Sequence, residues 1–233
     1  MFPLAIGWFS LWQLMVPLSV LIDPGHGGTN YGACAVDGTW EKELTLDLAL
    51  RLEKALIELS VRTDLTRRTD TAVSLWRRSE MARQLRPTCF VSLHFNASVL
   101  KNRSGLEIYY PREDRVLSAD FLTHIRKEPN LLVGSYLAHM QQTAYARGSR
   151  NIARRLAWRL SADGFRVMQV TSATFDVLTT PDTRAILVEA GFLDHETEGK
   201  RVLEEEYREN LARRFAHHLA KLCTAAPEER VIN

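Results

Sequence analysis

The sequence predicts a single three-layer α/β domain, a mostly parallel twisted sheet of about six strands flanked by helices. Three observations carry that prediction. Short apolar runs alternate with segments of helical periodicity over residues 18–223. Several of the runs are almost continuously apolar, as suits strands buried on both faces of a parallel sheet. Finally, a chain of 233 residues that is 45% hydrophobic, with neither internal repeat nor low-complexity linker, is long enough for one sizeable core.

The elements follow in order. The first 22 residues carry no charge. With residues 18–23 as the first strand, residues 1–17 remain as an apolar leader, too short for a comfortable membrane span but the length of an export signal's apolar region. No basic residue precedes this run and no small-residue cleavage site is evident, so an export signal, an anchor and a leader packed on the domain all stay open. Leu44, Leu48, Leu52, Ala55, Leu56 and Leu59 recur at three- and four-residue steps, which predicts a helix over 42–60. Residues 61–66, "VRTDLT", alternate like a strand. A helix over 71–85 is closed by Pro87, and "TCFVSLHF" (88–95) and "GLEIYY" (105–110) read as strands. The charged, mixed segment 113–147 predicts helices and reads as an insertion. Residues 151–162 predict a further helix, "RAILV" (184–188) a strand and 200–223 a long helix, leaving 224–233 as a tail.

Charge and cysteine usage exclude some classes. The formal charge of +2 hides no long single-sign block, so nucleic acid is not an expected partner. Cys34, Cys89 and Cys223 match no metal-ligand spacing and are odd in number, which predicts structural thiols rather than a disulfide framework.

In open α/β sheets the binding crevice lies outside the carboxyl ends of the strands. Four polar groups fall there in this chain. His26 follows the first strand in the glycine-rich stretch "DPGHGG", Glu41 opens the following helix, His94 ends "FVSLH", and Glu189 follows "RAILV". Two imidazoles and a carboxylate are a standard catalytic zinc set with an open fourth position, and the remaining carboxylate could take a proton from water. The glycines around His26 let backbone and ligand approach closely. His124, His139, His195, His217 and His218 lack such placement and read as surface or helix residues.

"VLIDPGHGGTNYGA", "WEKELTLDLALRLEKAL", "LTRRTD", "FVSLHFNAS" and "AILVEAGFLDHETE" resemble, in this order and spacing, the zinc-dependent N-acetylmuramoyl-L-alanine amidases of bacterial cell walls. The resemblance spans residues 18–223. It implies one Zn²⁺ per chain held by His26, Glu41 and His94, with Glu189 as the catalytic acid and base. Asn96, two residues after His94, could bond the substrate or brace the loop. Glu43 competes with Glu41 for the ligand position, and the family pattern favours Glu41, the acid before lysine. The implied reaction is hydrolysis of the amide joining N-acetylmuramic acid to the L-alanine of the stem peptide. Peptidoglycan or muropeptides are then the partners, and the location is the bacterial envelope, periplasmic or secreted, with anchoring through the leader open. Asn30 stands where the family often has aspartate, Ala190 replaces a commoner threonine, and "LDH" (193–195) departs from a usual "ISN". The length of 113–147 marks it as a candidate gate and a contact for an activator protein. Two alternatives remain. Ser98 and Lys101 have the spacing of penicillin-sensitive serine enzymes, and the same fold could serve as a non-catalytic wall-binding module.

Overall fold

The computed structural model describes residues 18–113, 131–179 and 182–223. Strands β1 (Ser19–Pro24), β2 (Arg62–Leu65), β3 (Cys89–Asn96), β4 (Leu106–Pro111), β5 (Val167–Ala173) and β6 (Ala185–Phe192) form one sheet in the order β2-β1-β3-β6-β4-β5. β2, β1, β3 and β6 run parallel. β4 turns over against β6, and β5 runs parallel to β4. The expected mostly parallel sheet of six strands is present, with one antiparallel junction, between β6 and β4.

Helices α1 (Glu41–Glu58), α3 (Leu131–Ala162) and α6 (Glu205–Cys223) cover one face, and α2 (Leu75–Leu85) and the short α4 (Asp176–Thr179) cover the other. α5 (Glu196–Leu203) precedes α6. Alternation along β1 shows why three layers form. Val20 and Ile22 join the large core beneath α1 and α6, while Leu21 points into the smaller core with Ala82, Phe90 and Leu178.

Several boundaries depart from the sequence expectations for visible reasons. α2 starts at Leu75 rather than Thr71 because the Ser74 hydroxyl caps it, accepting from the Arg77 amide at 3.2 Å. The long helix over 200–223 is two helices, broken at Glu204, whose backbone is extended. His195 caps the first of these, its ring nitrogen accepting from Thr197 and Glu198. β5 escaped the sequence reading because it is a half-exposed edge strand without a continuous apolar run. Within 113–147, residues 114–130 lie outside the described residues, as do the leader 1–17, the tail and His124. Residues 131–147 are the first half of α3, continuous with the helix expected over 151–162. Ser149 sits level with the start of β6, donating to the Tyr145 carbonyl and accepting from the Ala185 amide at 2.9 Å, so the helix N-terminal to it leads away from the carboxyl ends of β1, β3 and β6. Cys89 and Cys223 are buried, Cys34 is exposed, and all three are free thiols. No described helix is long and apolar enough to cross a membrane.

Candidate metal centre and active site

β1, β3 and β6 deliver their carboxyl ends to one edge, and the start of α1 meets them there. His26 lies just beyond β1, in left-handed backbone with φ 59°. His94 and Glu189 are inside the last residues of β3 and β6 rather than beyond them, and they face each other as register partners. β6 runs four residues past "RAILV" because its alternation continues, Glu189 facing the site while Ala190 stays in the large core.

Glu41 is the hub. Its Oε1 lies 2.9 Å from His26 Nε2 and 3.0 Å from His94 Nδ1, and it also accepts from the Phe95 amide at 3.0 Å. Its Oε2 accepts from the Ala33 amide at 2.8 Å. Burial opposes charge on this carboxyl, but the hydrogen bonds and charge of the two imidazoles outweigh it and hold the pKa down at about 2. Burial likewise works against the His26 cation, yet bonding and charge from Glu41, joined by Asn30, leave its pKa raised. The imidazoles meet edge to face, ring centroids 4.8 Å apart. Glu43 is exposed on the other side of the helix and takes no part.

Among the described residues, His26, Glu41 and His94 form the one group whose donor atoms converge as metal ligands would, all within 4.8 Å of one another. The donor chemistry fits a zinc-like ion. The backbone fits too. At Gly32 (φ 71°) a Cβ would stand 2.4 Å from Glu41 Oε2 and 2.8 Å from His26, and at Gly25 it would stand 2.3 Å from the His94 ring. Only glycine leaves room for the three side chains to converge. Asn30 Oδ1 lies 2.8 Å from His26 Nδ1 and takes up that nitrogen, so that Nε2, facing Glu41, is the one turned toward an ion. Asparagine at this position therefore serves the site through its carbonyl oxygen.

Glu189 stands beside the triad with one oxygen, Oε2, buried and without a hydrogen-bond partner. Burial first, then the charges of Glu41 and Glu107, push its pKa up to about 8. Glu107 is a residue that the sequence reading missed. It is fully buried, pairs with Glu189 across β4 and β6, and is held by Asn96 Nδ2 at 2.9 Å, the Tyr109 hydroxyl at 2.8 Å and the Arg103 guanidinium. An acid in the otherwise apolar run "GLEIYY" was the available signal. The Asn96 amide is engaged on both sides, since its Oδ1 accepts from the Ala97 amide at 2.8 Å. The Ser98 hydroxyl is buried with no partner, and Lys101 only closes a turn back to the Ser98 carbonyl at 3.0 Å. That is not the arrangement of a serine activated by a lysine.

Comparison with known proteins gives the same direction. Residues 20–221 match the family described as N-acetylmuramoyl-L-alanine amidase. The probable amidase AmiB of Haemophilus influenzae is 30% identical over 91% of this chain and 54% of its own length. The chain thus spans about half the length of the curated relatives it matches first. Among solved structures, the amidase AmiC2 of Nostoc punctiforme is 30% identical with a TM-score of 0.63, covering 88% of this chain and 96% of that one. An amidase from Clostridium difficile 630 is 25% identical with a TM-score of 0.70 over 88% and 96% of the two chains. A profile match across nearly the whole chain, the shared fold and the histidine–glutamate cluster at its carboxyl edge place this chain in the N-acetylmuramoyl-L-alanine amidase family.

Proposed function

We propose that this chain is a zinc-dependent hydrolase that cleaves the amide between N-acetylmuramic acid and the L-alanine of the stem peptide in peptidoglycan. The observation that carries the reading is the convergence of His26, Glu41 and His94 beside a buried carboxyl, Glu189, that has an unpartnered oxygen. His26, Glu41 and His94 would hold one zinc ion, which supplies Lewis acidity to a substrate carbonyl and to water. Glu189 takes the proton from the attacking water and returns it to the leaving amine. Glu107 keeps a second negative charge next to Glu189 and so raises its affinity for that proton. Asn96 braces Glu107 rather than offering a free amide to substrate. Peptidoglycan as substrate implies the bacterial envelope as location, reached through the apolar leader. An activating partner would act on segment 113–147.

The deciding experiment is Glu189→Gln on purified peptidoglycan. Glutamine keeps shape but cannot accept the proton. We expect near-wild-type zinc content and a rate lower by about a thousandfold, on the order of 4 kcal/mol in the barrier. Loss of zinc would make Glu189 a ligand, and a rate within about tenfold of wild type would remove it as the base.

A further inference from the structure

The loop carrying His26 is gripped from inside the protein by two buried arginines that the proposed chemistry does not use. Arg78, on α2, is 5% exposed and engages every guanidinium nitrogen. Nη1 donates to the Asp23 carboxylate and to the Pro24 carbonyl at 2.8 Å, Nη2 donates to the His26 carbonyl at 2.8 Å, and Nε donates to the Val73 carbonyl at 3.0 Å. Asp23 is fixed in turn by the hydroxyls of Thr66 at 2.6 Å and Ser92 at 2.8 Å. Arg67 takes the Pro24 and Gly25 carbonyls at 3.1 and 2.7 Å. Every carbonyl from Pro24 to His26 therefore accepts from a buried guanidinium.

His26 needs such a grip. Its φ of 59° lies in left-handed backbone, where a residue with a Cβ is disfavoured. In that conformation its Nε2 reaches Glu41 at 2.9 Å. We infer that Arg78 is a positioning residue of the metal centre: anchored on Asp23, it holds the His26 carbonyl and so keeps His26 in the backbone conformation that presents its imidazole to Glu41 and His94. The inference rests on the reading of that triad as a metal site. It separates two tasks in one side chain. Pairing the buried Asp23 charge needs only a cation, whereas spanning Asp23 and the Pro24 and His26 carbonyls needs the planar fork that lysine lacks.

The test is zinc affinity of the chelator-stripped full chain, measured by competition with a chromophoric chelator, alongside the denaturation midpoint. Arg78→Lys keeps a cation for Asp23 and should fold. Arg78→Met removes both functions. Ser92→Ala loosens Asp23 from the other side while leaving the bond to His26 intact. Losing a group that orients a metal ligand typically weakens binding roughly 10- to 100-fold. We expect a loss in that range for Arg78→Lys, and for Arg78→Met if it folds, with wild-type affinity in Ser92→Ala even where its midpoint falls. Zinc affinity in Arg78→Lys within about threefold of wild type would overturn the inference. So would a loss in Ser92→Ala equal to that in Arg78→Lys, because affinity would then follow general stability. Wild-type chain that takes up no zinc would instead overturn the metal reading itself, an outcome distinct from the other two.

Discussion

Glu189→Gln should stabilise the metal-free protein, and more so as pH rises. The Glu189 carboxyl is buried, its Oε2 has no hydrogen-bond partner, and the charges of Glu41 and Glu107 stand near it. Its pKa is about 8 in the folded chain, against an ordinary value of 4.5. A carboxyl whose folded pKa lies above its unfolded one contributes stability that is full below the unfolded value. That stability is lost as pH rises through the folded value. At about 1.4 kcal/mol per pH unit, wild-type protein gives up about 3 kcal/mol through this group between pH 5 and pH 8. Glutamine does not titrate and gives up none. The absolute effect of the substitution also includes the hydrogen bonding of the new amide, so the diagnostic quantity is the change in the difference with pH.

The assay is denaturant unfolding of chelator-treated wild type and Glu189→Gln from pH 5 to pH 8. Other titrating groups are common to both proteins and largely cancel in the difference. We expect the variant's advantage to grow by about 3 kcal/mol across that window. Zinc should shrink the trend, because a nearby cation favours the ionised carboxylate. A difference that stays flat to within about 0.5 kcal/mol, or that falls with pH, would mean Glu189 is ionised at ordinary carboxylate pH and would remove the burial argument.

Other outcomes test neighbouring parts of the site. Glu41→Ala should lose bound zinc while Glu43→Ala keeps it, because only Glu41 lies between the histidines; metal analysis giving the reverse would show that the wrong acid was chosen. Gly32→Ala should lower both zinc affinity and stability by more than about 1 kcal/mol, since it adds a Cβ 2.4 Å from Glu41 Oε2 in left-handed backbone; a neutral result in both would show that the glycine cradle is dispensable. Replacing residues 114–130 with a glycine-serine loop, which keeps Glu113 on Arg147 and Arg150, should leave zinc content and the basal rate on soluble muropeptide unchanged, because the helix that follows leads away from the carboxyl ends of β1, β3 and β6; a raised rate would show that the segment screens the site.

The side chains that meet at the carboxyl edge were legible because each marks a change in local pattern. His26 interrupts a glycine-rich stretch after an apolar run, and His94 and Glu189 stand at the ends of such runs, so strand-end logic found all three without knowledge of the sheet order. Glu41 against Glu43 could not be decided by helical periodicity alone, since both acids occupy the first turn. The structure separates them by burial, 3% exposed for Glu41 against an exposed Glu43. The edge strand β5 was hidden because it is half exposed and carries no continuous apolar run, and the break at Glu204 because neither glycine nor proline marks residues 203–206.

What holds the site was the least legible part, because it is made of contacts distant in sequence. Arg78 meets Asp23 across 55 positions, and Ser92 meets it across 69. No window of sequence contains such a pair, and an arginine on a helix reads by default as a solvated residue. The proton affinity of Glu189 is of the same kind. Its neighbours Glu41 and Glu107 come from a helix start and an antiparallel strand that only the sheet order brings together. Had β4 paired in parallel elsewhere, Glu189 would face one charge instead of two, and the same residue would be a weaker base. With Glu189 as the proposed base, the antiparallel turn of β4 against β6 bears on the chemistry as well as on the topology. It places Glu107, pinned by Arg103, Tyr109 and Asn96, where its charge raises the pKa of the carboxyl proposed to move the proton.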